Sequence, residues 1–216
     1  MAFPNPTPAT LDMHRELQKV HADLLRHKAT CLFAGVILRG DNVIVTDGSV
    51  KTACTDGKNK FYGEEFFRKL SVQERRGLVM HENLHDALMH LLRDGDLRKE
   101  NFQLWNVAAD YALNGLIVEW SQQHPDFIKL PEGGLYSATF ANMTVRQVYN
   151  HLKNLMPPPP PTRHIATLVP GALNSVLPPS SMTQSVGQAM SHWMLDSKCP
   201  SVRTMTASGA MLFALR

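Results

Sequence analysis

Five consecutive prolines, Pro157 to Pro161, set the main constraint on how this chain can fold. Each proline lacks a backbone N–H and holds φ at about −65°, so the run extends neither a helix nor a central strand and favours a stiff polyproline segment. The expected organisation is one folded domain over residues 1–155, followed by a Pro-rich linker and tail over 156–216. From Thr162 onward the chain is rich in Ser, Thr, Pro and Met, carries one acidic residue, Asp196, and has only a weak helical pattern around Met182 to Leu195. That composition predicts a disordered tail. A total of 216 residues suits a single well-buried core.

A hydrophobic share of 44% and a charged share of 19% are those of a soluble globular domain. The net charge of +3 is small and scattered, and no basic stripe with interleaved aromatics is present, so nucleic acid is not the expected partner. The N-terminal residues have neither the basic start nor the apolar run of a secretory signal, and no stretch is long and apolar enough for a bilayer. A cytoplasmic protein without membrane contact is expected. Cys31, Cys54 and Cys199 are odd in number, far apart and in no C-x-x-C pairing, which fits a reducing compartment and offers no thiolate metal site. Any metal must sit on nitrogen and oxygen.

Along the first 155 residues, Thr10 is the expected cap of a helix through Met13, Leu17, Val20, Leu24 and Leu25, ending near Lys28. Cys31–Leu38 and Val43–Thr46 read as a hairpin around the turn residues 39–42, and Val50–Thr55 with Lys60–Tyr62 as a second antiparallel pair around Asp56 and Gly57. Ser71 and Glu74 have the spacing of a capping box, from which a long helix should run through Leu78, Leu84, Leu88 and Leu92 to Arg93. Further helices are predicted from about Phe102 to Trp120 and from Thr144 to Leu155. The expected class is α+β: a small, mainly antiparallel sheet packed on a central helix and further helices.

Within the long helix, residues 81–85 read H-E-N-L-H. Positions four apart lie about 40° apart around a helix and about 6 Å apart along it, so His81 and His85 can converge on one cation at about 2.0–2.1 Å. Glu82, about 100° from His81, cannot share that ligand face but can flank an open coordination position. Zinc lowers the pKa of a bound water to about 7, and a carboxylate so placed can take that water's proton. These positions therefore read as a zinc site with Glu82 as general base. Leu78, Leu84 and Leu88 beside them imply burial, where unpaired imidazoles and a carboxylate would be costly.

A third protein ligand is expected, and the next helix offers Asn106, Asp110 and Asn114 at four-residue spacing on an otherwise apolar surface. Asp110 is the best candidate because it alone carries a charge for a metal to compensate. His90 competes, but nine residues after His81 it lies about 180° round a continuous helix, and it could reach the same ion only if the helix broke first. Asp94 and Asp96 follow such a break and are weaker options. His90, Asn106, Asn114 and Asp86 are otherwise candidates to orient a ligand imidazole or touch substrate. Asp86 also reads as an exposed helix carboxylate, and His14, His21 and His27 as surface residues. Thr52–Gly57 could offer an edge strand to a peptide, or form a plain hairpin.

Three segments together, Thr52–Gly57 (T-A-C-T-D-G), Val79–His85 with His90 and Arg93 beyond it, and Trp105–Asn114 containing W-N-V-A-A-D-Y, resemble the "putative metallopeptidase domain" family of bacteria and phages, which is often followed by a von Willebrand A-like region. The resemblance covers about residues 30–155. It implies a zincin-like fold, and it supports Asp110 as the third ligand because that aspartate matches the family pattern. Asn83 departs from it, being polar where the family is apolar, and nothing after Pro161 resembles the C-terminal region. The combined expectation is a zinc metallopeptidase acting on a protein or peptide. The alternative is a catalytically inactive metal-binding scaffold or regulatory module serving a partner protein.

Overall fold

A computed structural model describes residues 8–155, and the expected tail with its weak helical patch lies outside the described residues. The first helix, α1 (Pro8–Arg26), begins two residues before Thr10, which is therefore inside the helix and not its cap. Proline suits a helix's first turn, where its missing N–H has no partner to lose. Met13, Leu17, Val20 and Leu24 form its buried stripe, as their spacing predicts.

Residues 31–38 are not a strand. Cys31–Phe33 forms a 3-10 turn and Ala34–Ile37 a short helix, α2. The backbone satisfies itself locally: Cys31 N–H donates to His27 O, Phe33 N–H to Thr30 O and Leu38 N–H to Ala34 O, while the Thr30 hydroxyl donates to Leu24 O at 2.6 Å. Ile37 is buried and Phe33, four residues earlier, packs against the same core cluster, whereas Leu32 and Leu38 are 88% and 68% exposed. The apolar run follows a helical spacing and not a strand's alternation.

With no strand at 31–38, β1 (Asn42–Val45) takes another partner. The sheet has the order β1-β3-β2, with β3 (Lys60–Gly63) parallel to β1 and antiparallel to β2 (Ala53–Thr55). It is thus a mixed three-stranded sheet and not a mainly antiparallel one. All four β3 residues are buried, as a central strand requires. Gly63 is needed there, since a Cβ would sit 2.3 Å from Val50 O.

A helix not anticipated from the sequence, α3 (Glu64–Lys69), follows at once, with Glu64 and Glu65 in its first turn and Arg68 and Lys69 in its last. Those charges oppose the helix dipole and form i,i+4 pairs. Next, α4 (Val72–Ala87) starts with the full Ser71/Glu74 capping box and buries every residue from Gly77 to His85. It stops six residues short of the expected end. Met89 takes a left-handed conformation, φ 52°, and a separate turn of helix, α5 (His90–Arg93), follows it. The apolar periodicity of Leu88 and Leu92 was misleading here, because Leu92 is 78% exposed.

After α6 (Gly95–Glu100), the 22-residue α7 (Phe102–Gln123) packs against α4, and α8 (Val145–Leu155) packs against α7. Leu113 and Ile117 of α7 join the core formed with α1, α4 and the sheet. Leu104, Trp105, Ala108 and Ala109 join a second cluster with α6 and α8. Asp110 lies at the seam. Among the described residues no helix is long and apolar enough to cross a membrane.

Candidate metal centre

Two helices bring the chemistry together. From α4, His81 and His85 sit one turn apart with their Nε2 atoms 3.1 Å from each other. From α7, Asp110 Oδ1 lies 3.2 Å from His85 Nε2 and 3.6 Å from His81 Nε2. Donors at 2.0–2.1 Å from a tetrahedral ion stand about 3.3 Å apart. The three observed separations match the edges of one such face, so His81, His85 and Asp110 form a set suited to holding a metal ion.

The surroundings fix the donors' direction. Asn114, one turn beyond Asp110, donates from Nδ2 to Leu135 O at 2.9 Å, which leaves its Oδ1 facing His81. His81 Nδ1–H donates to that oxygen at 2.8 Å, so the Nε2 lone pair is the one directed at Asp110 and His85. On the other ring, His85 Nδ1 is 3.2 Å from His90 Nδ1. The break at Met89 is what delivers His90: the helix does end early, and its imidazole meets His85 on the side away from Asp110. Asn106 is buried one turn before Asp110.

All these groups are withdrawn from water, each of His81, Glu82, His85, His90, Asp110 and Asn114 being under 5% exposed. Burial, the largest influence on each, holds His81, His85 and His90 down to about 3; for His81 the adjacent His85 adds to this and Asp110 opposes it. Neutral imidazoles with free lone pairs are the form that ligates a cation. Asn83, the polar residue between Glu82 and Leu84, is fully buried and donates its amide to Val79 O at 2.7 Å within its own helix.

Glu82 is fully buried on the sheet side of α4. Burial and, after it, the Glu82 charge raise the Tyr62 phenol well above its usual range. Lys60, on the same strand, was not singled out from the sequence, and a lysine in a strand gives no signal of burial. Its side chain is wholly buried, with Nζ 2.9 Å from Arg39 O, 3.1 Å from Lys58 O and 3.4 Å from Asp86 Oδ2. Desolvation lowers its pKa, while Asp86 and Glu82 pull the other way. Asp86 turns to Lys60 and Arg39, tying α4 to the sheet's central strand. His21 and His27 are half-buried: His21 Nδ1 bonds Leu17 O at 2.8 Å, and His27 stacks on Phe127.

A family model described as "Putative metallopeptidase domain" matches residues 13–204, a span wider than the motif-bearing segments. Neither a curated protein nor a solved structure matches the chain.

Proposed function

The chain belongs to that family, described as a putative metallopeptidase domain, and from this premise we propose a zinc-dependent peptidase with a zincin-like arrangement, His81, His85 and Asp110 being the ligands and Glu82 the general base. The observation that carries the reading is the triangle of donor atoms, 3.1, 3.2 and 3.6 Å on its edges, with a buried carboxylate on the adjoining face of α4. Zinc, when bound, supplies a Lewis acid for a scissile carbonyl and acidifies water. The chain's own groups do the rest. Glu82 takes the proton of the attacking water and returns it to the leaving amine, and the buried surroundings strengthen that exchange by excluding bulk solvent. Asn114 and His90 hold the two imidazoles in register through their Nδ1 atoms.

As an outer strand of the sheet that contacts α4, β2 is the strand with which an extended peptide would pair through main-chain hydrogen bonds. Burial of all four groups favours one other reading, a metal-holding module that stabilises a partner-binding fold without hydrolysis. Glu82→Gln separates the two. For the peptidase, full-length Glu82→Gln keeps its zinc and loses cleavage of a peptide library followed by mass spectrometry. Cleavage by Glu82→Gln at the unsubstituted rate rejects the general-base assignment, and a zinc-loaded wild type that cleaves nothing favours the module.

A further inference from the structure

Behind His90 lies a cavity of about 670 Å³, walled by α5, α7 and the loop that leads into α8. Its volume is that of a small-ligand site. The lining is mixed: Leu88, Leu116 and Met143 supply apolar surface, and charged groups stand among them. Arg146 is already engaged, its guanidinium 2.8 Å from Asp96 and 3.7 Å from Asp94. Arg93 is not. Among the described residues it makes no ion pair, and Glu119 on the facing helix has no cationic partner, its Oε1 accepting only from Gln123 at 3.3 Å. Arg93 and Glu119 are both solvent-exposed members of this lining, and a cation and an anion beside partly buried Leu88, Leu116 and Met143 match the two ends of a zwitterion with an aliphatic body.

We propose that this cavity binds a short peptide with both termini free, its carboxylate at Arg93 and its ammonium at Glu119. The choice of a peptide over other zwitterions rests on the peptidase reading. Gly115 belongs to the same design: it lines the cavity, and a Cβ there would meet nothing within 4 Å. A side chain at 115 would take up ligand space. His90 joins the cavity to the metal centre, forming part of its wall while its Nδ1 contacts His85.

The test is calorimetry on the full-length Glu82→Gln chain, so that no cleavage depletes the ligand, with leucyl-leucine, its N-acetyl form and its amide. Leucyl-leucine should bind saturably and about tenfold more tightly than either blocked form, each of which lacks one charge-assisted contact. Gly115→Leu, made in the same background, should abolish binding while circular dichroism and melting temperature show an intact fold, and Arg93→Gln should erase the preference for acid over amide. Equal binding of all three ligands, no binding of leucyl-leucine, or unchanged binding to Gly115→Leu overturns the proposal. Failure of the wild type to cleave peptides would sink the peptidase reading and leave this binding result standing, so the two are distinguishable.

Discussion

Replacing Asn114 by alanine probes the candidate centre without touching a donor atom. Asn114 is fully buried, and its amide joins two groups: the oxygen accepts from His81 Nδ1 at 2.8 Å and the nitrogen donates to Leu135 O at 2.9 Å. Partners of this kind set the tautomer and orientation of a ligating imidazole, and their loss costs about 10–100-fold in metal affinity, or about 1.4–2.8 kcal/mol. The zinc-free fold should also lose about 2–4 kcal/mol, from two hydrogen bonds and the His81 N–H left buried without an acceptor. Asn114→Asp is the informative companion. It keeps an acceptor for His81 and gives up only the donor to Leu135, so it should hold zinc at least as tightly as the wild type while folding less stably. Zinc affinity is read by competition with a chromophoric chelator, and stability by urea unfolding of the zinc-free protein. Should Asn114→Ala bind zinc within threefold of the wild type, the orienting role is refuted.

Two glycines on the packed helices give opposite signs. A Cβ at Gly77 would fall 1.9 Å from Lys129 O, a backbone atom that cannot step aside, so Gly77→Ala should cost about 1–3 kcal/mol in urea unfolding, whereas Gly115→Ala meets open space and should gain about 0.5–1 kcal/mol. A stabilised Gly77→Ala would contradict the close approach of α4 to the 129–131 segment. Acid should unfold the zinc-free chain early. His81, His85 and His90 are held down to about 3, mainly by burial, against about 6.5 in the unfolded chain. Between those values the unfolded state binds more protons, so stability is full above about pH 6.5 and falls as pH drops, by up to about 1.4 kcal/mol per unit for each histidine. A urea midpoint that stays flat from pH 7 to 5 would refute the neutral, buried state of these rings.

Local rules lead from the sequence to the candidate donor set because its parts obey them. The Ser71/Glu74 box begins α4, the four-residue spacing of His81 and His85 survives intact, and the polar stripe of α7 does face a partner. What escaped depends on tertiary contact. No glycine or proline marks the break at Met89, a residue that rarely adopts positive φ, so the early end of α4 and the arrival of His90 beside His85 could be stated only as a condition. Residues 31–38 form too short an apolar run for periodicity to decide, and once they curl into a turn and α2, β1 is left to pair in parallel with β3. The charges of α3, two acids and then two bases, were a readable signal. Burial of Lys60 was not, since it exists only because the Arg39 and Lys58 carbonyls and Asp86 converge on one ammonium.

The central claim is that two imidazoles of α4 and one carboxylate of α7 share a single zinc ion, and X-ray absorption at the zinc edge of the purified full-length chain tests it most directly. The account predicts nitrogen and oxygen neighbours at about 2.0–2.1 Å with the outer-shell signature of two imidazoles, reduced to one in His81→Ala. Sulfur at about 2.3 Å, or a spectrum unchanged by His81→Ala, would contradict it.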